Sequence, residues 1–158
     1  ALVRAGIALC GVKSADADRA DRWPGLQSVL SLRARITEVR EVPAGDGAGY
    51  DLAFHAQRPT VLAAVPVGYA DGIFRAQSGA YALVNGQKAP VAGRVCMDQL
   101  LLDVMDCGAV RPGDVVTFIG RDGAAEIRSE ELTAACRTIT TVFFSRLGTR
   151  LPSLWRPN

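Results

Sequence analysis

The dipeptide Asn85-Gly86 constrains the fold more than any other short segment of this chain. It lies between two β-prone runs in YALVNGQKAPVAGRV. Both residues tolerate a positive φ angle, as the two central positions of a type I′ turn require. The segment therefore predicts an antiparallel hairpin closed by two residues. Pro90 has no amide hydrogen to donate, so we expect the second arm to be irregular or to lie at a sheet edge.

Apolar runs bounded by turn residues predict that the rest of the domain is mainly β. Alternation along SVLSLRARITEVREVP predicts one long strand over 28–43, followed by a turn at 44–49. We expect further strands in TVLAAVPVGYADG, QLLLDV and DVVTFIG. Only 129–147 has a helical pattern, with Ser129 as a candidate N-cap and two glutamates in the first turn. The predicted fold is a β-rich domain with one or two short helices.

The amino-terminal segment differs in character from this domain. ALVRAGIALCG is almost wholly apolar apart from Arg4 and predicts a buried strand. The polar segment that follows contains Trp23-Pro24-Gly25 and is typical of a linker. We therefore divide the chain into a strand remnant at 1–12, a linker at 13–26 and a β domain at 27–158.

Charge, hydropathy and cysteine spacing exclude several classes of function. The net charge of +2 is too small to indicate a nucleic-acid or membrane-surface partner. No apolar run approaches the ~20 residues of a membrane span. Four cysteines without a C-x-x-C motif, together with a single histidine, do not make a zinc site. Scattered cysteines and the lack of a leader with a cleavage site lead us to expect a reducing, cytoplasmic location.

Several side chains are candidates for chemistry, each with a purely structural alternative. Arg4 either packs its stem and leaves its head in solvent, or points at an acceptor with Gly6 allowing close backbone approach. Tyr50 and Tyr69 each follow a glycine, so each is either a rim residue or part of a shared pocket. A tyrosine serves as a general acid or base only if its pKa is lowered, usually by a neighbouring cation.

The segment GRVCMDQ concentrates reactive and charged side chains between two strands. Arg94 and Asp98 are a candidate surface pair. Cys96 would be a nucleophile only with His55 as its base, and a cysteine in an apolar run is usually inert. Asp71 and Asp98 are a candidate pair of carboxylates. Spacing alone does not decide among these alternatives.

The motifs taken together resemble a known family. In chain order the sequence contains VRAGIALCG, SLRARITEVREVPAGDGAGY, VPVGYADG, NGQKAPVAGRVCMDQ, TIT and SRLGTRLP. This series resembles the C-terminal portion of the alanine racemase family over nearly the whole chain. The resemblance implies pyridoxal-phosphate (PLP) enzymes whose subunits have an N-terminal (β/α)8 barrel and a C-terminal β domain. It also implies head-to-tail homodimers with shared active sites, and it makes residues 1–12 the last strand of a barrel that is otherwise missing here.

The resemblance implies a role for each matching residue. Tyr50 matches the tyrosine that acts as acid and base on one face of the substrate α-carbon, while a cofactor lysine serves the other face. Arg4 matches the arginine that hydrogen-bonds the pyridine nitrogen of PLP. The other matches are backbone positions that help hold the phosphate (Gly6, Ile7), a backbone N–H that meets the substrate carboxylate (Met97) and the lining of the substrate channel (Tyr69, Arg75, Arg94, Ile139).

Three features depart from the family pattern. Lys13 and Lys88 are the only lysines, and neither lies in a motif like VVKANAYGHG, which carries the cofactor lysine. We therefore expect that this chain alone does not racemise amino acids. Asp51 follows the catalytic tyrosine where the family usually has glycine. Thr141 stands where a tyrosine usually touches the cofactor phosphate, and Cys10 stands where a tyrosine is common.

These matches lead us to expect part of a bacterial isomerase that interconverts L- and D-alanine for peptidoglycan synthesis and uses PLP but no metal. Thr141 resembles the small polar residue in the serine/alanine racemase domains of vancomycin-resistance proteins, so serine is an alternative substrate. A non-catalytic β domain that acts as a binding or dimerisation module is a second alternative. A third is a family member whose chemistry has been changed or abolished by Asp51 and Thr141.

Overall fold

The computed structural model describes residues 2, 4, 6–13, 25–73, 75 and 79–155. Within this part of the chain the fold is mainly β with two short α-helices, as predicted. None of the helices in the described part is long and apolar enough to cross a membrane. In chain order the elements are β1 (Leu32–Arg35), β2 (Glu38–Val42), β3 (Gly47–Ala48), β4 (Phe54–His55), β5 (Thr60–Val65), β6 (Tyr81–Val84), β7 (Gln87–Pro90), β8 (Leu100–Asp103), β9 (Val115–Asp122), β10 (Ala125–Ile127), α1 (Ser129–Ala135) and α2 (Thr140–Arg146).

The described strands form three antiparallel sheets. The largest has the order β1-β9-β6-β7, and β10 pairs with β9. The second has the order β2-β5-β8, and β3 and β4 form a small hairpin of their own. An isolated bridge between Val91 and Leu102 connects the end of β7 to β8. The two larger sheets are thereby held together at the segment that precedes the GRVCMDQ motif.

The predicted Asn85-Gly86 hairpin is confirmed. β6 pairs with β7 from Tyr81 opposite Pro90 to Val84 opposite Gln87. Asn85 has φ 51° and Gly86 has φ 74°, so both central residues are left-handed. β7 is an edge strand and Pro90 is its last residue, which removes the need for a donated ladder hydrogen bond.

The single strand predicted over 28–43 is wrong. The segment forms β1 and β2, which belong to different sheets. Between them, the Ile36 N–H donates to the Asp114 carbonyl at 2.9 Å and the Thr37 N–H donates to the Ala64 carbonyl at 2.9 Å. Ile36 is only 2% exposed. Burial of this residue where the chain passes from one sheet to the other offsets the loss of a continuous ladder.

The helical segment predicted at 129–147 is confirmed and consists of two short helices, because α1 and α2 are separate. α1 ends where Arg137 adopts φ 52° and the Thr138 N–H donates to the Thr133 carbonyl at 3.0 Å. The sequence at this point is rich in β-branched residues, which lose side-chain freedom in a helix. Ser129 is not the N-cap; Arg128 holds that position, and Ser129 is the buried first residue of α1.

The amino-terminal strand expected at 1–12 is wrong over residues 6–10. Gly6–Cys10 forms a 3-10 helix that begins with Gly6 at φ 57°. A strand needs neighbours for its N–H and C=O groups, and no described strand pairs with this segment. Residues 1, 3 and 5 of the predicted strand and 14–24 of the predicted linker lie outside the described residues.

The core draws on both larger sheets and both helices. Phe118 of β9 and Phe143 of α2 are its largest fully buried side chains. A second, smaller cluster lies beneath the β3–β4 hairpin and consists of Val42, Ala48, Ala56, Leu62 and Ala92. This smaller cluster anchors the hairpin whose connecting turn carries Tyr50.

Candidate functional site

Tyr50 lies on the turn between β3 and β4, where the backbone conformation is unusual. Gly49 has φ 74° and ψ −177°, and the two residues after Tyr50 are left-handed, with φ 56° at Asp51 and 49° at Leu52. The turn is closed by the Leu52 N–H, which donates to the Gly49 carbonyl, and by the Ala53 N–H, which donates to the Tyr50 carbonyl, both at 3.2 Å. Tyr50 is 62% exposed although the backbone around it is held.

This turn is joined to the loop that contains Arg94. The Arg94 guanidinium donates to the Asp51 carboxylate in an ion pair. Gly49 lies close by, since a Cβ added there would be 3.8 Å from the backbone nitrogen of Arg94. The surface pair predicted between Arg94 and Asp98 is therefore wrong, because Asp51, distant in sequence, is the partner of Arg94.

The GYADG turn lies on the other side of the same loop. The Tyr69 N–H donates to the Cys96 carbonyl at 3.0 Å, and the Ala70 N–H donates to the Met97 carbonyl at 2.8 Å. Gly68 is required for this approach, because a Cβ there would be 2.4 Å from the Cys96 oxygen. Met97 is 59% exposed, and its own N–H takes part in no hydrogen bond with another described residue.

Asp71 holds the GYADG turn from within. Its side chain is 0% exposed, and it accepts hydrogen bonds from the Gly68 N–H at 2.9 Å and from Arg150 Nε at 2.6 Å. Arg150 Nη2 also donates to Asp71 and reaches the Pro66 and Asp98 carbonyls at 3.3 and 3.5 Å. Burial by itself raises the pKa of Asp71, but the hydrogen bonds from Arg150 and Gly68 outweigh it and hold the pKa below its usual value.

The candidate carboxylate pair is thus replaced by an ion pair. Asp98 contributes only its backbone carbonyl, and the partner of Asp71 is Arg150. No sequence pattern indicated Arg150, because 79 positions separate it from Asp71. Only Asp71 itself indicated that such a partner exists, because an acidic residue next to an apolar strand needs a cationic or N–H partner if it is buried.

The other predicted site residues occupy different parts of the structure. Ile139 is the N-cap of α2 and is exposed, and Thr141 is exposed in the first turn of that helix. The end of α2 reaches the GYADG turn, where a Cβ on Gly72 would be 3.3 Å from the Arg146 carbonyl oxygen. Arg75 is exposed, and its neighbours 74 and 76–78 lie outside the described residues.

The structure does not join the amino-terminal candidates to this group. Arg4 is exposed, and Gly6 and Ile7 open the 3-10 helix. That segment packs on residues 27–29, where the Val29 N–H donates to the Cys10 carbonyl at 3.3 Å. The described residues thus bring together Tyr50, Tyr69, Arg94 and Met97 around the loop of residues 93–99. They show no hydrogen bond between this group and Arg4, Gly6 or Ile7.

The cysteines are free thiols. Cys96 Sγ lies 3.9 Å from the Arg94 carbonyl, and the described hydrogen bonds include none between it and His55. Burial, together with the nearby Asp106 and Asp103 carboxylates, raises the pKa of the Cys107 thiol. These surroundings do not favour the thiolate that nucleophilic catalysis needs.

Comparison with known proteins identifies the family. The sequence profile described as "Alanine racemase, C-terminal domain" matches residues 29–155. The chain belongs to the alanine racemase family. It is 37% identical over 155 residues to alanine racemase 1 of Caldanaerobacter subterraneus subsp. tengcongensis, a match that covers 98% of this chain and 39% of that protein. It is 36% identical over 152 residues to an amino-acid racemase of Enterococcus faecalis, which covers 95% of this chain and 21% of that protein.

Solved alanine racemases share the fold. The enzyme from the D-cycloserine producer Streptomyces lavendulae superimposes with a TM-score of 0.88 at 34% identity, covering 97% of this chain and 40% of that one. The Bacillus anthracis alanine racemase with bound L-Ala-P gives a TM-score of 0.85 at 33% identity, covering 92% and 37%. The resemblance and the fold class inferred from the motifs are therefore confirmed. The chain corresponds to the C-terminal domain of this isomerase family and spans between a fifth and about two fifths of the curated relatives it matches.

Proposed function

We propose that these residues act within a PLP-dependent racemase that interconverts L- and D-alanine, and that they supply Tyr50 to the active site of the partner subunit in a homodimer. The observation that carries the proposal is the presentation of Tyr50. Its backbone is held in a turn that few residues adopt, yet its phenol is exposed on the domain surface. A side chain fixed at its base and open at its tip is suited to act on a molecule bound by another part of the enzyme.

The proposed reaction requires two proton carriers on opposite faces of the substrate. Inversion removes the α-proton from one face and delivers a proton to the other. The Tyr50 hydroxyl is the one carrier that we assign to this chain. The Met97 N–H donates to no described residue and suits a substrate carboxylate, and Arg94 and Tyr69 lie beside it as polar lining of the approach.

The residues assigned to PLP have the right donor chemistry. Arg4 offers a guanidinium, which keeps its proton at neutral pH and so donates to a pyridine nitrogen without protonating it. The N–H groups of Gly6 and Ile7 at the start of a 3-10 helix and the Thr141 hydroxyl suit phosphate oxygens. When bound, PLP supplies an electron sink that acidifies the substrate α-hydrogen.

The second proton carrier is not provided by either lysine of this chain. Lys88 lies at the edge strand β7 with its ammonium 4.2 Å from the centre of the Tyr81 ring. Lys13 is exposed beside the segment outside the described residues. We therefore propose that the cofactor lysine lies in a longer polypeptide to which these residues belong.

The proposal is tested by the Tyr50→Phe variant of the full-length protein that contains these residues, with PLP bound. Racemisation of L- and D-alanine is measured with protonated and α-deuterated substrate. We expect wild-type turnover, a loss of at least tenfold in the variant, and a changed isotope effect with the enantiomer whose α-proton Tyr50 removes. Tyr81→Phe makes the same chemical change away from the turn and should leave the isotope effects unaltered. No turnover in a folded, PLP-bound wild type would favour the binding-module alternative.

Serine is a second candidate substrate, favoured by the exposed Thr141 hydroxyl in the first turn of α2. A small side chain at this position leaves room for a hydroxymethyl group and provides a partner for its hydroxyl. The Enterococcus faecalis relative bears the broader name amino-acid racemase. The ratio of kcat/KM for L-serine to that for L-alanine in the full-length protein decides between the two substrates.

A further inference from the structure

We propose that Asp51 is a positioning residue that sets the orientation of Tyr50 through its ion pair with Arg94. Asp51 adjoins Tyr50 in the chain, and its carboxylate accepts a hydrogen bond from the Arg94 guanidinium across the domain surface. The assignment rests on the proton-carrying role proposed for Tyr50. It adds the contact that orients the Tyr50 phenol for that role.

The backbone around Tyr50 is not the one that its residues prefer. Asp51 and Leu52 are consecutive left-handed residues, and neither is glycine. An L-residue in this region brings its Cβ close to the following carbonyl, and aspartate tolerates the strain better than most residues. Such strain persists only where surrounding contacts over-determine the conformation. The contacts that hold this turn therefore decide where Tyr50 points.

Besides the two backbone hydrogen bonds that close the turn, two side-chain contacts hold it, and both lie just after Tyr50. The Leu52 side chain packs on Gly47, where an added Cβ would be 2.9 Å from Leu52 Cβ. The Asp51–Arg94 ion pair ties the turn to the neighbouring loop. The Tyr50 hydroxyl itself makes no hydrogen bond with any described residue, so the described contacts act on it only through the backbone of the turn. Loss of the Asp51 anchor would remove the ion pair that ties the turn to the neighbouring loop.

Because the Asp51–Arg94 ion pair is exposed, its loss should change the conformation of the Tyr50 turn more than the stability of the domain. The side chains of Arg94 and Asp51 are 49% and 71% exposed. An ion pair this exposed adds little to the stability of the whole domain because water screens it. The turn is more sensitive, because the ion pair links it to the neighbouring loop and a small change in free energy redistributes the conformers of a strained turn. Variants of Asp51 should thus fold normally and still transfer the Tyr50 proton more slowly.

The experiment uses the full-length, PLP-bound protein with Asp51→Gly, Asp51→Ala and Asp51→Asn. Alanine removes the carboxylate and keeps the Cβ, whereas glycine removes both, so the comparison of the two separates the ion pair from the left-handed strain. Asparagine keeps an oxygen for Arg94 and tolerates the same φ. The control is Asp46→Asn in the same hairpin, because Asp46 makes no ion pair with any described residue. Each variant is assayed with protonated and α-deuterated L- and D-alanine, and its thermal midpoint is measured.

We expect Asp51→Gly and Asp51→Ala to lower kcat/KM about fivefold, which is about 1 kcal/mol at 1.4 kcal/mol per tenfold change. The α-deuterium isotope effect should rise only for the enantiomer whose proton Tyr50 removes, and Asp51→Asn should lose less. Unchanged isotope effects in Asp51→Gly would overturn the assignment, whether or not turnover fell, because a merely structural defect lowers the active fraction without altering the proton-transfer step. If Tyr50→Phe also left the isotope effects unchanged, the proposed function itself would fail.

Discussion

Asp71 has the most completely enclosed charge in the candidate site. Its carboxylate is buried and accepts hydrogen bonds from the turn it belongs to and from Arg150 near the end of the described chain. The single guanidinium of Arg150 also reaches the carbonyls of Pro66 and Asp98. One ion pair thus fixes the relative positions of the turn that bears Tyr69 and the loop that bears Met97.

The Asp71→Asn variant should be less stable at neutral pH by roughly 2 kcal/mol, the usual cost of losing a hydrogen bond to a charged group. The folded-state pKa of Asp71 is depressed, so its contribution is complete above its ordinary value of 3.8 and is lost as the pH falls through the folded-state pKa. Wild type should therefore lose stability below about pH 4, and the variant should lose less over the same window.

Urea unfolding measured between pH 7 and pH 2 checks this dependence. Asp46→Asn is the matched control, because it removes an exposed carboxylate of the β3–β4 hairpin that has no described ion-pair partner. Identical pH profiles for wild type and Asp71→Asn would show that the ion pair with Arg150 does not contribute to acid stability.

At the scale of elements, short sequence motifs predicted the structure correctly where residues close together in the chain are also close together in space. The Asn85-Gly86 hairpin needed only two residues that accept positive φ and two β-prone arms. The break between β1 and β2 was hidden, because the alternation of apolar residues continues through Ile36 although the chain changes sheets there. The register of β1 is set by β9 and that of β2 by β5, and both partner strands come later in the chain.

The boundary between α1 and α2 provides a prediction at this scale. Arg137 adopts φ 52° at the end of α1, a conformation that favours glycine. Arg137→Gly should raise the free energy of unfolding by about 1 kcal/mol, because glycine relieves the left-handed strain. Arg137→Ala keeps the Cβ and should give no such gain. Thermal unfolding of both variants beside wild type measures the difference, and equal midpoints for glycine and alanine would contradict the prediction.

At the scale of the whole molecule, we propose that the catalytic group is divided between polypeptide regions. The described residues assemble Tyr50, Tyr69, Arg94 and Met97 around one loop, whereas the candidates for PLP lie at Arg4, in the 3-10 helix that follows it and in α2. The chain spans less than half of the alanine racemases it matches. A site built in this way needs the remaining regions to bring its two proton carriers onto opposite faces of one substrate.

Residues 1–158 alone, supplied with PLP and L-alanine, should therefore produce no D-alanine above background. The reason we propose is that the second proton carrier is neither Lys88, which lies over the Tyr81 ring, nor Lys13. Chiral chromatography of the product, with the full-length protein at the same concentration as the positive control, measures this directly. Turnover that rose in proportion to the concentration of the isolated chain would contradict the proposed division of the site.

The sequence by itself determined the family, the β-rich fold class and the Asn85-Gly86 hairpin, because these depend on local backbone preferences and on motifs contiguous in the chain. Only the tertiary structure decided the partners of the charged residues. Arg94 binds Asp51 rather than Asp98, and Asp71 binds Arg150. These partners are 43 and 79 positions apart, and their meeting depends on how separate sheets and loops pack together. Local spacing carries no information on such contacts, since they are set by the burial of the core between distant strands.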